Sequence, residues 1–448
     1  MASIGHELFD FASRLYPICR SITGNGLRET LALIKSRVPL LTTTEVPSGA
    51  KVFDWEVPLE WNIEGARLMA PDGAKVVDFR DHNLHIVNYS EPVRATLPLE
   101  QLAPRLHSIP EHADWIPYRT SYYRRNWGFC LRHQQRERLP PGEYRVEIDA
   151  SLAKGSLTYG EAVIRGRSSE EVLFFAHACH PSLANDNTSG LSIAVALARW
   201  LASEPRRYTY RFVFAPGTIG SLCWLKRNES RLGKVRHGLV LALLGDPAPL
   251  TYKTSRRESA DIDVAASYVL PTLDPAARII PFSPYGYDER QLCSPGFDLP
   301  VGRLTRSVNG GYAQYHSSAD NLELIRAECL QESYEACQRI VTVLEGNGQY
   351  VNLSPKGEPL LGKRGLYGST GGHSPAQREH ALLWVLNQSD GSRSLLDTAR
   401  RSGIAFEVIR DAATALENAG LLAEREGARM KPKRKRGPAK RVNRGQKK

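Results

Sequence analysis

The apolar and polar positions of the chain fall into distinct textures. At the start, Leu8, Phe9, Phe11, Ala12 and Leu15 stand at helical spacing, and a second amphipathic run covers Leu27 to Val38. Between about 46 and 140 the pattern shortens to alternating runs such as VFDWEVPLEWNI and AKVVDFRDHNLHIVNYS. Pro, Asp-Gly and Asn break these runs, and a Trp/Tyr/Pro-rich stretch runs from Asp114 to Phe129. This predicts a separate, mainly β module inserted as a cap. From Gly142 strand and helix patterns alternate. EVLFFAH (171–177) is a compact run of buried-strand type, and SGLSIAVALARWLAS (189–203) sets Leu191, Ala194, Val195, Ala198 and Leu201 on one helical face. YTYRFVFA (208–215), HGLVLALLG (237–245) and LPVGRL (299–304) predict further strands, IGSLCWLK a short helix, and 320–345 a long one. The alternation predicts an α/β domain with helices on both faces of a largely parallel, doubly wound sheet. Ligands in such sheets bind at the carboxyl ends of the strands.

SPKGEPLLGKRGLYGSTGGHS (354–374) holds six glycines and two prolines and reads as a linker. HALLWVLNQ, SLLDTARRSG, AFEVIRDAATALENAG and LLAE then predict three helices and a short strand, a winged helix. Its helix 406–418 carries several acids and a single Arg, so it suits domain packing or pairing of two copies better than a DNA groove. The expected organisation is an α/β domain over 1–45 and 141–350, an inserted β domain over 46–140, a linker over 351–374, a winged helix over 375–424 and a basic tail over 425–448.

Charge changes the picture less than its total suggests. The formal net charge is +11, but Arg425 to Lys448 holds twelve Lys/Arg against Glu426 alone, so the tail carries all of it. The tail reads as a disordered, solvated terminus; non-specific contact with nucleic-acid phosphates is the alternative. The first residues lack the apolar core of a signal peptide, and no run reaches the length of a membrane span, which predicts a cytoplasmic protein. Seven scattered cysteines without a CxxC pair argue against a disulfide framework.

The chemistry concentrates at strand ends. HACHPSLANDNTSG (177–190) places His177 directly after a buried strand, with His180 and Asp186 in the loop before a helix. LLGDP puts Asp246 after another strand, and QYHSSADN puts His316 after a Gly-rich loop, with Ser318 or Asp320 as a cap for the long helix. Imidazole and carboxylate together suit Zn²⁺, and several such groups at one sheet edge form a constellation.

The order of these motifs resembles the zinc aminopeptidase and glutamate-carboxypeptidase-like superfamily. More closely, the chain resembles bacterial proteins that join an aminopeptidase-like domain, an inserted small β domain and a C-terminal winged helix. The matching stretches include DWEVPLEW, NLHIVNYS, YYRRNWGF, HACHPSLANDNTSG, GDP, DERQLCSPGFDLPVG, YHSSADN and SDGSRSLLDTARRSG, which span nearly everything before the tail. The resemblance implies a zinc-exopeptidase-like fold and metal ligation by Asp186, Asp246, His316 and either His177 or His180. It also implies a peptide or aminoacyl substrate. Cys179 stands where those aminopeptidases carry an Asp. Pro216-Gly217-Thr218-Ile219-Gly220-Ser221 stands where the bacterial relatives show P-E-T-I-G-S. Gly217 therefore replaces the general base, and Thr218 stands in place of a carboxylate for a second metal, which implies one zinc per chain. Asp288 and Glu289 are the candidates for a replacement carboxylate, or equally for binding a substrate's free amino group or for pairing with Arg290; Arg290 and Tyr315 are candidates for substrate contacts. A non-catalytic zinc-stabilised binding protein and a nucleic-acid-associated protein are the competing expectations.

Overall fold

The computed structural model describes residues 3–308, 310–367 and 375–425, with the side chains of 375 and 376 set aside. The basic tail beyond Arg425 and the end of the expected linker, 368–374, lie outside the described residues. Two units are present, one over Met1–Glu345 and one over Gly346–Lys448.

The first unit is built on an eight-stranded mixed sheet. Its strands are β1 (Thr42–Pro47), β2 (Ser156–Ile164), β3 (Glu171–His177), β4 (Thr209–Ala215), β5 (Val235–Leu241), β6 (Thr251–Lys253), β7 (Arg278–Ile280) and β8 (Val301–Thr305). They lie side by side in the order β1-β2-β4-β3-β5-β8-β6-β7. The central strands β4, β3, β5 and β8 run parallel, and the edges add antiparallel pairs. Every residue of β3 and β4 is buried, which is why both read as continuous apolar runs rather than alternating ones. Phe174 and Phe212 stack across them with centroids 4.9 Å apart.

The winding places the site. From β3 the chain passes through helix Gly190–Ala202 to β4 on one side, then through helix Ile219–Asn228 back across to β5 on the other. The crevice at the carboxyl end of β3 is therefore the switch point of the sheet, where a loop from each side can converge.

A second, four-stranded antiparallel sheet, ordered Lys75–Asp78, Glu60–Met69, Glu143–Ala153 and Val93–Pro98, forms the inserted module. Glu143–Ala153 belongs to it although the sequence reading began the α/β domain at 141. The strand keeps a two-residue period, burying Tyr144, Val146 and Ile148 with Leu68, Ile86 and Phe129. The long helix starts at Ala327 rather than 320, so neither Ser318 nor Asp320 caps it.

The second unit holds helices Pro375–Gln388, Leu395–Ser402 and Phe406–Asn418 with the strands Asp390–Ser394 and Leu422–Glu424. Gln349–Asn352, which straddles the expected boundary at 350 between α/β domain and linker, is the middle strand between those two. Ser394 caps the second helix, its Oγ accepting from the Asp397 N–H at 3.1 Å while Asp397 answers the Ser394 N–H. Gly403, at φ 70°, ends it. All seven cysteines are free thiols, and among the described residues no helix is long and apolar enough to cross a membrane.

Candidate metal centre and active-site pocket

His177 is the last residue of β3, paired with Ala215 at the end of β4. The chain then loops through His180 to Asp186, which is fully buried. His177 Nε2 lies 2.7 Å from Asp186 Oδ1, and His180 Nδ1 lies 3.8 Å from the same oxygen. His316 Nε2 lies 3.1 Å from the other oxygen, Oδ2. His177, His180 and Asp186 offer donor atoms within 4.8 Å of one another, and His316 joins them through Oδ2. Both early histidines face the carboxylate.

The backbone around Asp186 is fixed from below. Asp320 accepts the Asn185 N–H at 2.6 Å and the Asp186 N–H at 3.1 Å with its two oxygens. Asn187 donates its amide to Leu241 O at 3.0 Å. His316 is held at φ 57°, an unusual conformation for a non-glycine residue, and its carbonyl accepts the Tyr118 N–H at 2.8 Å. The aromatic stretch of the inserted module is thereby stitched to the loop that carries this histidine.

Tyrosines set the imidazole orientations. Tyr287 stacks on His177 at 4.7 Å, and Tyr315 stacks on His316 at 3.9 Å. Tyr118 stands edge-on to both His180 and His316. Tyr287 donates its hydroxyl to Tyr315 Oη at 3.3 Å. Tyr118 and Tyr287 were not singled out from the sequence. The only local signal was their place in aromatic-rich stretches near the quoted motifs, and nothing there says which ring meets which imidazole.

The electrostatics are those of a buried cluster. Burial pushes the Asp186 carboxyl up, but the combined pull of His180, His177 and His316 outweighs it and holds the group well below the usual carboxylate range. Burial lowers His180 to about 3, despite the neighbouring Asp186. His180 is thus a neutral imidazole at pH 7, the form that ligates a metal. Its Nδ1 is buried without a hydrogen-bond partner, although most buried polar atoms have one. A cation held between the imidazoles and Asp186 would satisfy that atom, and a nitrogen-and-carboxylate donor set is of the zinc type. The residues present fit the metal.

Asp246 is engaged elsewhere. It accepts from Asn185 Nδ2 at 2.7 Å, from Ser307 Oγ at 2.8 Å and from the Ala248 N–H at 2.9 Å, outside the His177–His180–Asp186 group. It braces the ligand loop through Asn185. Glu289 is the clearest departure from the sequence reading. Its carboxylate is fully buried against Lys253 Nζ at 2.6 Å and Arg303 at 3.3 Å, and it does not line the pocket. Two cations compete for it inside the core, so it is no free proton acceptor.

A pocket of about 450 Å³ opens over the histidines, lined among others by Tyr123, Gly217, Thr218, Asp288, Arg290 and Tyr315. Asp288 is buried, with Oδ1 accepting the Thr218 N–H at 2.9 Å and Oδ2 unpartnered. Burial raises its carboxyl above the ordinary value, with His177 opposing. Gly217 occupies the wall. Its N–H points to Cys179 Sγ at 3.2 Å, and a Cβ added there would stand 3.7 Å from that sulfur and 3.9 Å from His177 Cβ, ordinary contact distances. The two departures from the superfamily pattern, Cys179 and Gly217, therefore touch.

The mixed eight-stranded sheet, the ligand loop at its switch point and the appended winged helix define an aminopeptidase-like domain protein. Residues 9–347 match the family described as a domain of unknown function, DUF4910, and the chain belongs to that family. Residues 348–424 match a winged helix-turn-helix model. A Clostridium acetobutylicum protein named "Putative polysaccharide biosynthesis protein with aminopeptidase-like domain" is 47% identical over 93% of this chain and 96% of its own length. A crystal structure of a "putative peptidase" of the same organism superposes with a TM-score of 0.88 at 46% identity, covering 94% of this chain and 96% of that one. The zinc aminopeptidase BSAP of Bacillus subtilis shares the fold at a TM-score of 0.55 and 13% identity, over 75% of this chain and 93% of its own.

Proposed function

We propose that the protein is a mono-zinc hydrolase of amide bonds, with a peptide or aminoacyl group as substrate. The observation that carries this reading is the convergence of His177, His180 and His316 on the two oxygens of a buried Asp186 at the floor of a pocket. These four residues would hold the ion. Zinc bound there supplies Lewis-acid polarisation of an amide carbonyl and activation of water. Tyr315 already accepts from Tyr287, which leaves its own hydroxyl proton for the substrate carbonyl oxygen. Among the described residues Asp288 is the one carboxylate lining the pocket, and Oδ2 is its unpartnered atom. It takes the proton from the attacking water and returns it to the leaving amine, a role favoured by a raised carboxyl. The Clostridium relative's name refers to polysaccharide biosynthesis, and carried to this chain it sets the scissile amide on an amino sugar or on a peptide joined to one.

Gly217 motivates a second reading, a zinc-stabilised protein that binds the same class of ligand without turning it over. Metal analysis of the purified full chain, joined to hydrolysis assays on aminoacyl amides, dipeptides and N-acyl amino sugars, separates the two. The hydrolase reading expects about one zinc per chain and a metal-dependent activity that His316→Ala removes. Saturable binding with no turnover by the zinc-loaded protein would leave only the second.

A further inference from the structure

Among the described residues Arg290 is the only Lys or Arg lining the pocket, and its charge is unmatched. Among the described residues no carboxylate comes within ion-pair distance of it, whereas neighbouring cations are paired: Lys253 and Arg303 share Glu289, and Arg256 and Arg257 share Asp298. Its one hydrogen bond is from Nη2 to Thr218 Oγ1 at 3.2 Å, a neutral acceptor, and its Nε is buried with no partner. A guanidinium has five donors in a planar fork that matches a carboxylate in two parallel bonds.

The side chain is also held in place. Thr218 is a β-branched residue at φ 62°, a conformation unfavourable for such a side chain. It is pinned there by its N–H to Asp288 Oδ1 and by its hydroxyl to Arg290. The same short segment thus fixes the Asp288 carboxylate and the Arg290 guanidinium without joining them, since the two form no ion pair. An unpaired guanidinium fixed in advance costs less ordering when a ligand arrives.

Resting on the hydrolase or ligand-binding reading of the same pocket, we propose that Arg290 selects ligands bearing a carboxylate close to the amide. The carboxylate takes the guanidinium's free donors while the amide lies over the histidines. Two sources share this chemistry: the C-terminus of a dipeptide, and the acid group of an N-acylated sugar acid. A cavity of about 450 Å³ holds either.

The test is equilibrium binding to the zinc-loaded full chain, by calorimetry, with two matched pairs. One pair is the reduced-amide isostere of Leu-Gly and its C-terminal carboxamide; the other is N-acetylmuramic acid and its methyl ester. In at least one pair the acid binds about 10-fold to 100-fold more tightly than its neutral partner, as charge-assisted hydrogen bonds do. Arg290→Met removes that preference, and Arg290→Lys restores part of it. Equal binding of acid and neutral ligand in both pairs, no binding of either acid at millimolar concentration, or a preference that survives Arg290→Met overturns the inference. Failure of hydrolysis with the preference intact would defeat the catalytic reading and leave this one standing. Turnover of neutral amides as fast as acids would do the reverse.

Discussion

The loops that follow β3 and β4 lie side by side, because their strands are parallel neighbours in register from Glu171 and Thr209 to His177 and Ala215, yet they differ in what they retain. The first carries a dense donor set. Asp186 meets three imidazoles, its backbone is held by Asp320, and Asn185 is held by Asp246. The second, Pro216-Gly217-Thr218, presents no side-chain base, and its contacts go to Cys179, Asp288 and Arg290 instead. In the proposed reading the ion falls to the loop after β3 and the proton to Asp288, which meets the loop after β4 through the Thr218 N–H. One can change while the other stays whole.

Restoring the missing group tests this separation most strongly. A Cβ at 217 meets Cys179 and His177 only at ordinary contact distances, and general acid–base catalysis contributes about 10²–10⁴-fold, so Gly217→Glu is expected to raise kcat in that range at unchanged zinc content. A Gly217→Glu protein no faster than wild type, measured on the substrate panel above, would show that Asp288 already does the work or that no turnover exists.

Next in size are changes beneath the first loop. Asp320→Asn keeps the volume but leaves only one carbonyl oxygen for the two N–H groups of Asn185 and Asp186. Outer-shell changes cost about 10–100-fold in metal affinity, and competition with a chelator of known zinc affinity would measure the loss. Asp246→Ala leaves Asn185 Nδ2 and Ser307 without their acceptor. It should cost about 1–3 kcal/mol of stability in denaturant unfolding while zinc stoichiometry persists. Loss of zinc in Asp246→Ala would instead make Asp246 the ligand that the resemblance implied.

The last test lies away from the site, at the opposite end of β5. His237 is buried beside Tyr208, and burial lowers it to about 3. It stays neutral in the folded chain while the unfolded chain takes up a proton below the ordinary value of about 6.5. Its contribution to stability is complete above that pH and is lost as pH falls from about 6.5 toward 3. His237→Phe should flatten this part of the unfolding profile, read by urea midpoints at several pH values. An unchanged slope would move the acid sensitivity to another buried imidazole such as His180.

The apolar runs 171–177 and 208–215 and the helix after Ser189 could be read directly from the chain, because burial on both faces leaves no polar positions to confuse the period. His177, His180, Asp186 and His316 could be named because histidines and a carboxylate at strand and loop ends are rare without a reason. The strand Glu143–Ala153 was misassigned at its boundary because its alternation is equally good in either sheet; only its pairing with Glu60–Met69 decides.

The linear order of residues determined the folding units, the donor types and the missing carboxylate at 217, since these depend on local periodicity and on side-chain identity. Tertiary structure alone decided which donors come together, His177, His180 and His316 around Asp186. It turned Asp246 to Asn185 and Ser307, buried Glu289 between Lys253 and Arg303, and left Arg290 and Asp288 Oδ2 with atoms to spare. Whether a charged group serves a ligand or a neighbour depends on what lies within about 3 Å of it, and those neighbours come from strands and loops tens to hundreds of residues away along the chain.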